Sequence, residues 1–483
     1  MGSNRLITRR NLFRAGIGLA AALALPSWAC TRSNRGSRRL FDVSDFGATG
    51  DGTTLDTAAI QQAVDEASAV GAGAQVLLRG GKHYLIGALK LRGGIDFHLA
   101  DDAELLVSTD PKHFAGRAAI TALDAHGLRI SGTGTINGRS PEFMEYFDKE
   151  NEWWKPKDFR PRLLALTGCK NLEIRDVTLA QAPSWTLHLM GCEHVLVDAI
   201  KIRNQLDVPN CDGIDPDHCR DVEIKNCRIA CGDDAIVIKT TREGAAYGPS
   251  AKIHVHDCEI ETQDSGVKIG TETTQDISDV LFERCSIKTS SRACTIQLRD
   301  EGNVSRIQFR DIKFVSRYYS DPWWGRGEAI SFTAIPRTPT TPLGVISDVE
   351  VSHVSGRSEN SVRVSGSPRS RVRNVHFDNV AITLDRWTDY PGGIWDNRPT
   401  SAMPELEKQG SPGFSIRHAD DVVLKNCRLS WGNNRPEYFT HALEAEDVTG
   451  LDHAGLAGTA AHPEDEAVAI HEAPAPSSSS TTL

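Results

Sequence analysis

Short runs in which apolar and polar residues alternate recur along most of this chain. From Leu163 onward they are regular: LEIRDVTL at 172–179, VLVDAIKI at 195–202, VEIKNCRI at 222–229, IHVHDCEI at 253–260, VLFERCSI at 280–287 and IQFRDIKF at 307–314. Alternation of this kind reads as a half-buried β-strand. One equivalent position per unit, taken as Val177, Ala199, Cys227, Cys258, Cys285 and Ile312, gives steps of 22, 28, 31, 27 and 27 residues. The pattern returns at 349–354, 375–382 and 422–429. A period in the twenties built from short strands predicts an all-β fold, a single-stranded right-handed parallel β-helix, whereas the blades of a β-propeller would need about forty residues each.

Upstream, residues 74–79, 84–91, 95–99 and 104–107 also read as short strands, and 54–70 reads as an amphipathic helix with Ala58, Ile60, Ala63, Val64 and Ala67 on its apolar stripe. A helix in front of a β array is the expected cap for an open coil end. Residues 141–160, 317–341 and 386–412 break the repeat and carry Trp153, Trp154, Trp323, Trp324, Trp387 and Trp395. Insertions on a solenoid commonly build the wall of a groove. Their tryptophans either stack on sugar faces or pack beneath their own loops.

Composition agrees with an elongated β chain: 39% apolar, 6% aromatic and 41 glycines in 483 residues. Formal net charge is −10, and residues 1–30 carry only arginines, so the remainder is more acidic still. That argues against nucleic acid as a partner but leaves an anionic sugar polymer open, since a local cationic cleft can override the global balance. Thr8 to Arg14 (TRRNLFR) and the apolar run 15–25 resemble a twin-arginine export signal over 1–30, too short to span a membrane. The expected destination is periplasmic, extracellular or anchored to the cell envelope, with Cys30 the candidate lipidated residue and 31–40 a linker. Residues 41–457 are the expected β-helix domain and 458–483, rich in Ala, Glu, Pro and Ser, a disordered tail. The eleven cysteines recur at matching places in the repeat, as buried small apolar residues would, and no Cys-x-x-Cys or His-rich spacing reads as zinc. No metal or cofactor is expected, and the chain is read as a monomer.

Candidate chemistry sits at Asn210-Cys-Asp-Gly-Ile-Asp215 and Cys231-Gly-Asp-Asp234. Asp212 precedes Asp233 by 21 residues and Asp234 by 22, about one turn of the coil, so three carboxylates converge on one face. Like charges held close cannot all ionise freely, so one acid keeps a proton while the others stay anionic. Glycoside hydrolysis needs such a set: an acid for the leaving oxygen and a base for water.

Asn210-Cys-Asp212, Gly232-Asp-Asp234, Ala182-Pro-Ser-Trp185 and the opening Phe46-Gly-Ala-Thr-Gly-Asp-Gly52 together resemble glycoside hydrolase family 28, the polygalacturonases, over about residues 41–450. The resemblance implies the pectin lyase-like β-helix and inverting cleavage of pectin, rhamnogalacturonan or a related polysaccharide. Asp233 would be the general acid, and Asp212 and Asp234 would activate water, with an inverting pair expected roughly 6.5–9.5 Å apart. The chain departs from that pattern: Asp264 stands where the family has the His of Gly-His-Gly, and Thr295-Ile-Gln297 where it has Arg-Ile-Lys. Asn210, Asp264, Lys268, Gln297 and Arg299 are the candidate substrate-binding residues, with Lys268 or Arg299 replacing the missing cations. Two alternatives stay open: a polysaccharide lyase, which needs calcium-binding carboxylates and an Arg or Lys base, and a β-helix that binds glycan without cutting it.

Overall fold

The computed structural model describes residues 39–472. The expected export signal, the lipidation site at Cys30 and nearly all of the expected linker lie outside them. Within them, the alternating runs form parallel strands that pair coil upon coil in a right-handed β-helix. One ladder starts at Leu40–Asp42 and includes Arg220–Lys225, Ser250–His256 and Ile277–Glu283. A second includes Ile214–Asp217, Ile236–Thr240, Ser265–Thr273 and Arg292–Leu298. The third, of fourteen strands, runs from Asp51–Leu55 to Leu456–Ala457.

Each eight-residue unit proves to be two strands meeting at a corner. Lys170–Arg175 and Thr178–Ala180 flank Asp176, whose φ is 62°, and Asn226, Asp257, Asp311 and Asn426 hold the same left-handed conformation in later coils. Asn and Asp tolerate that region because their short polar side chains bond locally. The residue after the corner points inward. This corrects the register in one coil: Ala199, with φ 57°, is the corner, and buried Ile200 is the equivalent of Val177 and Cys227. The signal was present as apolar positions one, three, six and eight, a slip of phase in the middle of each unit.

The ten described cysteines are free and buried, with Cys169, Cys192 and Cys219 stacked at one corner and Cys227, Cys258 and Cys285 at another. Helix Thr57–Val70 caps the start and buries Ile60, Ala63, Val64 and Ala67, while Ala58 is exposed. It begins later than expected because Asp51–Leu55 pairs with His83–Ile86 as a strand. Asp56, just before the helix, accepts hydrogen bonds from the Thr49 and Gly50 amides at 2.7 and 3.0 Å, pinning the Gly-Ala-Thr-Gly-Asp-Gly turn. At the other end Val468–His471 pairs with Leu443–Asp452, so the coil continues past residue 457 into the stretch expected to be a tail.

Inside, Phe282, Phe309 and Phe332 are fully buried and stack at centroid distances of 5.3 and 5.5 Å. Phe309 touches a ring on either side, so truncating it opens a cavity that neither neighbour can fill. Phe309→Ala is expected to lower unfolding free energy by about 3–5 kcal/mol, read from urea midpoints at unchanged slope.

Candidate active site

Ile214 pairs with Ile236, so Asp212 and Asp234, each two residues earlier, hold equivalent places on successive coils. Parallel strands lie about 4.8 Å apart, and the backbone keeps that spacing here: the Gly213 amide donates to the Asp234 carbonyl at 2.9 Å. Asp233, one residue before Asp234, joins them. One oxygen of each carboxyl lies within 4.8 Å of one oxygen of each of the other two. Ladder stacking sets this nearest-oxygen approach.

Two lysines from the same cleft face lie against these acids. Lys268 Nζ sits 2.7 Å from Asp234 Oδ2 and is itself buried. Lys239 Nζ lies 3.5 Å from Asp212 Oδ2, 3.4 Å from Asp215 Oδ1 and 3.6 Å from Glu272 Oε2. Asp233 receives neutral donors instead: the Asn210 amide at 3.0 Å and its own neighbour's amide, Asp234 N, at 2.9 Å. Asn210 is exposed, with φ 55°, and Arg160 holds its side chain by donating to Oδ1 at 2.6 Å.

Burial pushes the Asp212 carboxyl well above the usual carboxylate range, and Asp233, Asp215 and Asp234 add to it against Lys239. Burial and then Asp234 raise Asp233, opposed by Lys268. Asp215 is pushed up to about 7 by burial, with Lys239 opposing. Burial alone would depress Lys268, yet Asp234 and Asp264 hold it above its ordinary value. Both lysines therefore stay charged, and the acids share protons among themselves. The three aspartates offer oxygens that could take a cation, as the lyase reading requires, but Lys239 and Lys268 already supply that positive charge.

Of the predicted residues, Asp212, Asp233, Asp234, Asn210, Asp264 and Lys268 come together. Asp264 is buried beside Lys268, with Oδ1 accepting from Ser265 Oγ at 3.0 Å, and burial raises its carboxyl strongly. Lys268 pairs in register with Thr295, as the aligned segments suggested. Gln297 and Arg299 do not reach the acids. Both are buried beneath the 386–412 insertion, where Gln297 Nε2 donates to the Arg398 carbonyl at 3.3 Å and Arg299 Nη2 to the Asn397 carbonyl at 3.2 Å. Arg299 is thus a brace for the insertion, not the replacement cation.

Sequence reasoning missed Lys239, Asp215, Arg160 and Arg162. Lys239 closes the Gly232-to-Lys239 segment, and its place five residues after Asp234 on an outward strand position was the available signal. Trp185 stands on the coil before Asp212, half-buried, with Lys239 Nζ 4.2 Å and the Arg162 guanidinium 4.4 Å from its ring centre. His188 packs edge-on against it at 4.9 Å, accepting from Arg162 Nη1 at Nδ1 at 2.9 Å and donating from Nε2 to Asp217 Oδ2 at 3.2 Å. The insertion tryptophans pack instead: Trp153 against buried Trp323, Trp387 under Arg357, and buried Trp395 between Arg363 and Arg417.

Comparison with known proteins follows the same lines. Residues 75–390 match the family described as Glycosyl hydrolases family 28, and residues 40–98 match Rhamnogalacturonase A/epimerase, pectate lyase-like. A protein of Vitis vinifera named "Probable polygalacturonase" is 33% identical over 81% of this chain and 86% of its own length. An exopolygalacturonase of Zea mays is 25% identical over 69% of this chain and 88% of its own. The family 28 exopolygalacturonase of Yersinia enterocolitica superposes with a TM-score of 0.67 at 17% identity, covering 87% of this chain and 79% of its own. That of Thermotoga maritima gives 0.61 at 20%, covering 86% and 92%. The surface adhesin PfbA of Streptococcus pneumoniae shares the coil at a TM-score of 0.50 and 14% identity, covering 89% of this chain and 97% of its own, so fold alone does not separate cutting from holding. The clustered aspartates, read with the family match over most of the β-helix, place the chain in glycosyl hydrolases family 28 as a polygalacturonase-like glycoside hydrolase.

Proposed function

We propose that this protein hydrolyses a glycosidic bond in an acidic plant polysaccharide of the pectin class, with Asp233 as general acid and Asp212 and Asp234 positioning the attacking water. The observation that carries it is the unequal pairing of three stacked carboxyls. Asp234 has an ammonium at 2.7 Å, Asp212 shares one at 3.5 Å, and Asp233 has none within ion-pair distance. Asp233, half-buried and raised by burial and by Asp234, is the acid able to present a proton to the cleft. Anionic sugars suit the partly exposed Arg160 and Arg162, with the buried, ion-paired Lys239 and Lys268 adding positive charge behind them in place of the family's Arg-Ile-Lys. The residues expected to carry a twin-arginine signal support export of the folded enzyme to meet such a polymer.

The insertion at 386–412 favours action at a chain end. Two coils beyond Asp234, about 10 Å at the spacing of parallel strands, Thr295 and then Ser331 are buried. The hairpin of Ile394–Asp396 and Leu406–Lys408 lies over this stretch through Arg292, Gln297, Arg299 and Arg363. A polymer entering past Trp185 would meet that wall shortly after the acids. On polygalacturonate, the expected product from the first minutes is a single short species released while viscosity barely falls. A ladder of oligomers with rapid loss of viscosity would show internal cleavage instead.

Asp233→Asn should lower kcat by about 100- to 10,000-fold while an oligogalacturonate still binds in calorimetry. Parent-like turnover would remove Asp233 from the role, and proton NMR of the first-released anomer decides between inversion and retention. Lys268→Met has a signed pH effect. Lys268 opposes the upward shift of Asp233, so its loss raises that carboxyl further. A general acid works protonated, so the alkaline limb of the kcat/KM profile is expected to move to higher pH; a limb that stays or moves down would assign the proton elsewhere.

A further inference from the structure

Outside the cleft, on the first ladder, the structure gathers two histidines and carboxylates from three successive coils. His254 and His256 are two apart on Ser250–His256, so both side chains leave the same face of the strand. In register, Glu223 of the preceding coil lies beside His254, and Glu283 of the following coil lies beside His256. The imidazole rings face each other at 4.2 Å, tilted by 31°. One ligating atom each of Glu223, His254 and His256 lies within 4.8 Å of the other two.

The hydrogen bonds prepare this group for a cation. Asp257 Oδ2 sits 2.6 Å from His256 Nδ1, which Arg284 Nη2 also approaches at 3.2 Å, and Nε2 faces Glu223 Oε1 at 3.1 Å; with the Nδ1 proton given to Asp257 in a hydrogen bond, Nε2 is the nitrogen left for a metal. Glu283 Oε1 lies 2.9 Å from His254 Nε2 and brings a second carboxylate to the rings. A carboxylate on one imidazole nitrogen is the arrangement that orients a metal-binding histidine. The neighbouring cations are already engaged: Lys225 with Glu223 Oε2 at 3.0 Å, Arg284 with Asp257 at 2.9 Å, and Arg310 with Glu283 at 2.9 Å.

We propose that Glu223, His254 and His256 form a binding site for a divalent transition-metal ion, Zn2+ being the ion that a two-imidazole, one-carboxylate set suits. All three side chains are partly exposed, so an ion can enter and draw the ligand atoms in by small rotations. The spacing rules for zinc motifs miss this site because the third ligand comes from the preceding coil, thirty-odd residues from the histidines. A bound ion would tie that coil to the next.

Calorimetric titration of the untagged, chelator-stripped full chain with Zn2+ tests this. One ion per chain is expected, with affinity more than about 100-fold weaker in the His254→Gln/His256→Gln double variant, beyond what loss of a supporting group does, and about 10- to 100-fold weaker in Asp257→Asn. The double variant should keep parent glycan hydrolysis, which shows it folded, and Asp233→Asn should bind Zn2+ like the parent. If the double variant does not fold, Glu223→Gln serves in its place, with at least about tenfold weakening expected. No binding by the parent, binding that survives loss of these ligands, or binding lost in Asp233→Asn would each overturn the site.

Discussion

Each coil of this β-helix sets its residues directly on those of the coil before, about 4.8 Å away. For apolar residues that constraint is favourable, and it yields the cysteine stacks at the corners and the phenylalanine stack in the core. For acids it is costly. Asp212 and Asp234 occupy the same position on neighbouring coils, so the geometry that builds the core also forces two carboxyls together away from bulk water. Buried like charges persist only where opposite charge or shared protons offset them. The second ladder supplies that opposite charge as Lys239 and Lys268, placed outward on the strands that follow Asp234 and Asp264.

What the sequence disclosed follows from which interactions are local or periodic. A period in the twenties and alternation within each unit identified the coil. Residue separations of 21 and 22 bring the three aspartates together, because a solenoid turns separation along the chain into adjacency. The aligned segments also placed Lys268 beside Thr295. The corner inside each unit was missed because one left-handed residue changes the phase of alternation without interrupting its polarity, and Ala199 shows the slip.

Arg299 and Gln297 were misassigned for a different reason. Their partners, Asn397 and Arg398, lie 98 and 101 residues away in an insertion that has no period. No pattern along the coil reports where such a loop folds back. The same insertion covers Arg292 and Arg363, whose guanidiniums face Asp396 and Asn397, so they, like Arg299, hold a wall. The tryptophans follow suit, with Trp395 packed between two arginines instead of offered to a sugar.

The remaining step concerns how equivalent acids acquire unequal roles. Stacking alone would leave Asp212 and Asp234 alike. The difference arises one coil on, where Lys268 pairs with Val237, two residues before Lys239, so the lysines do not repeat the spacing of the acids. Lys268 then meets Asp234 alone at 2.7 Å, whereas Lys239 is divided among Asp212, Asp215 and Glu272. One carboxyl thus has an ammonium to itself and the other shares one. Asp233 faces only amides and, unlike the other two, is half-exposed. On the proposed assignment of acid and base, it is uneven neutralisation of an evenly spaced stack that would set the two roles apart.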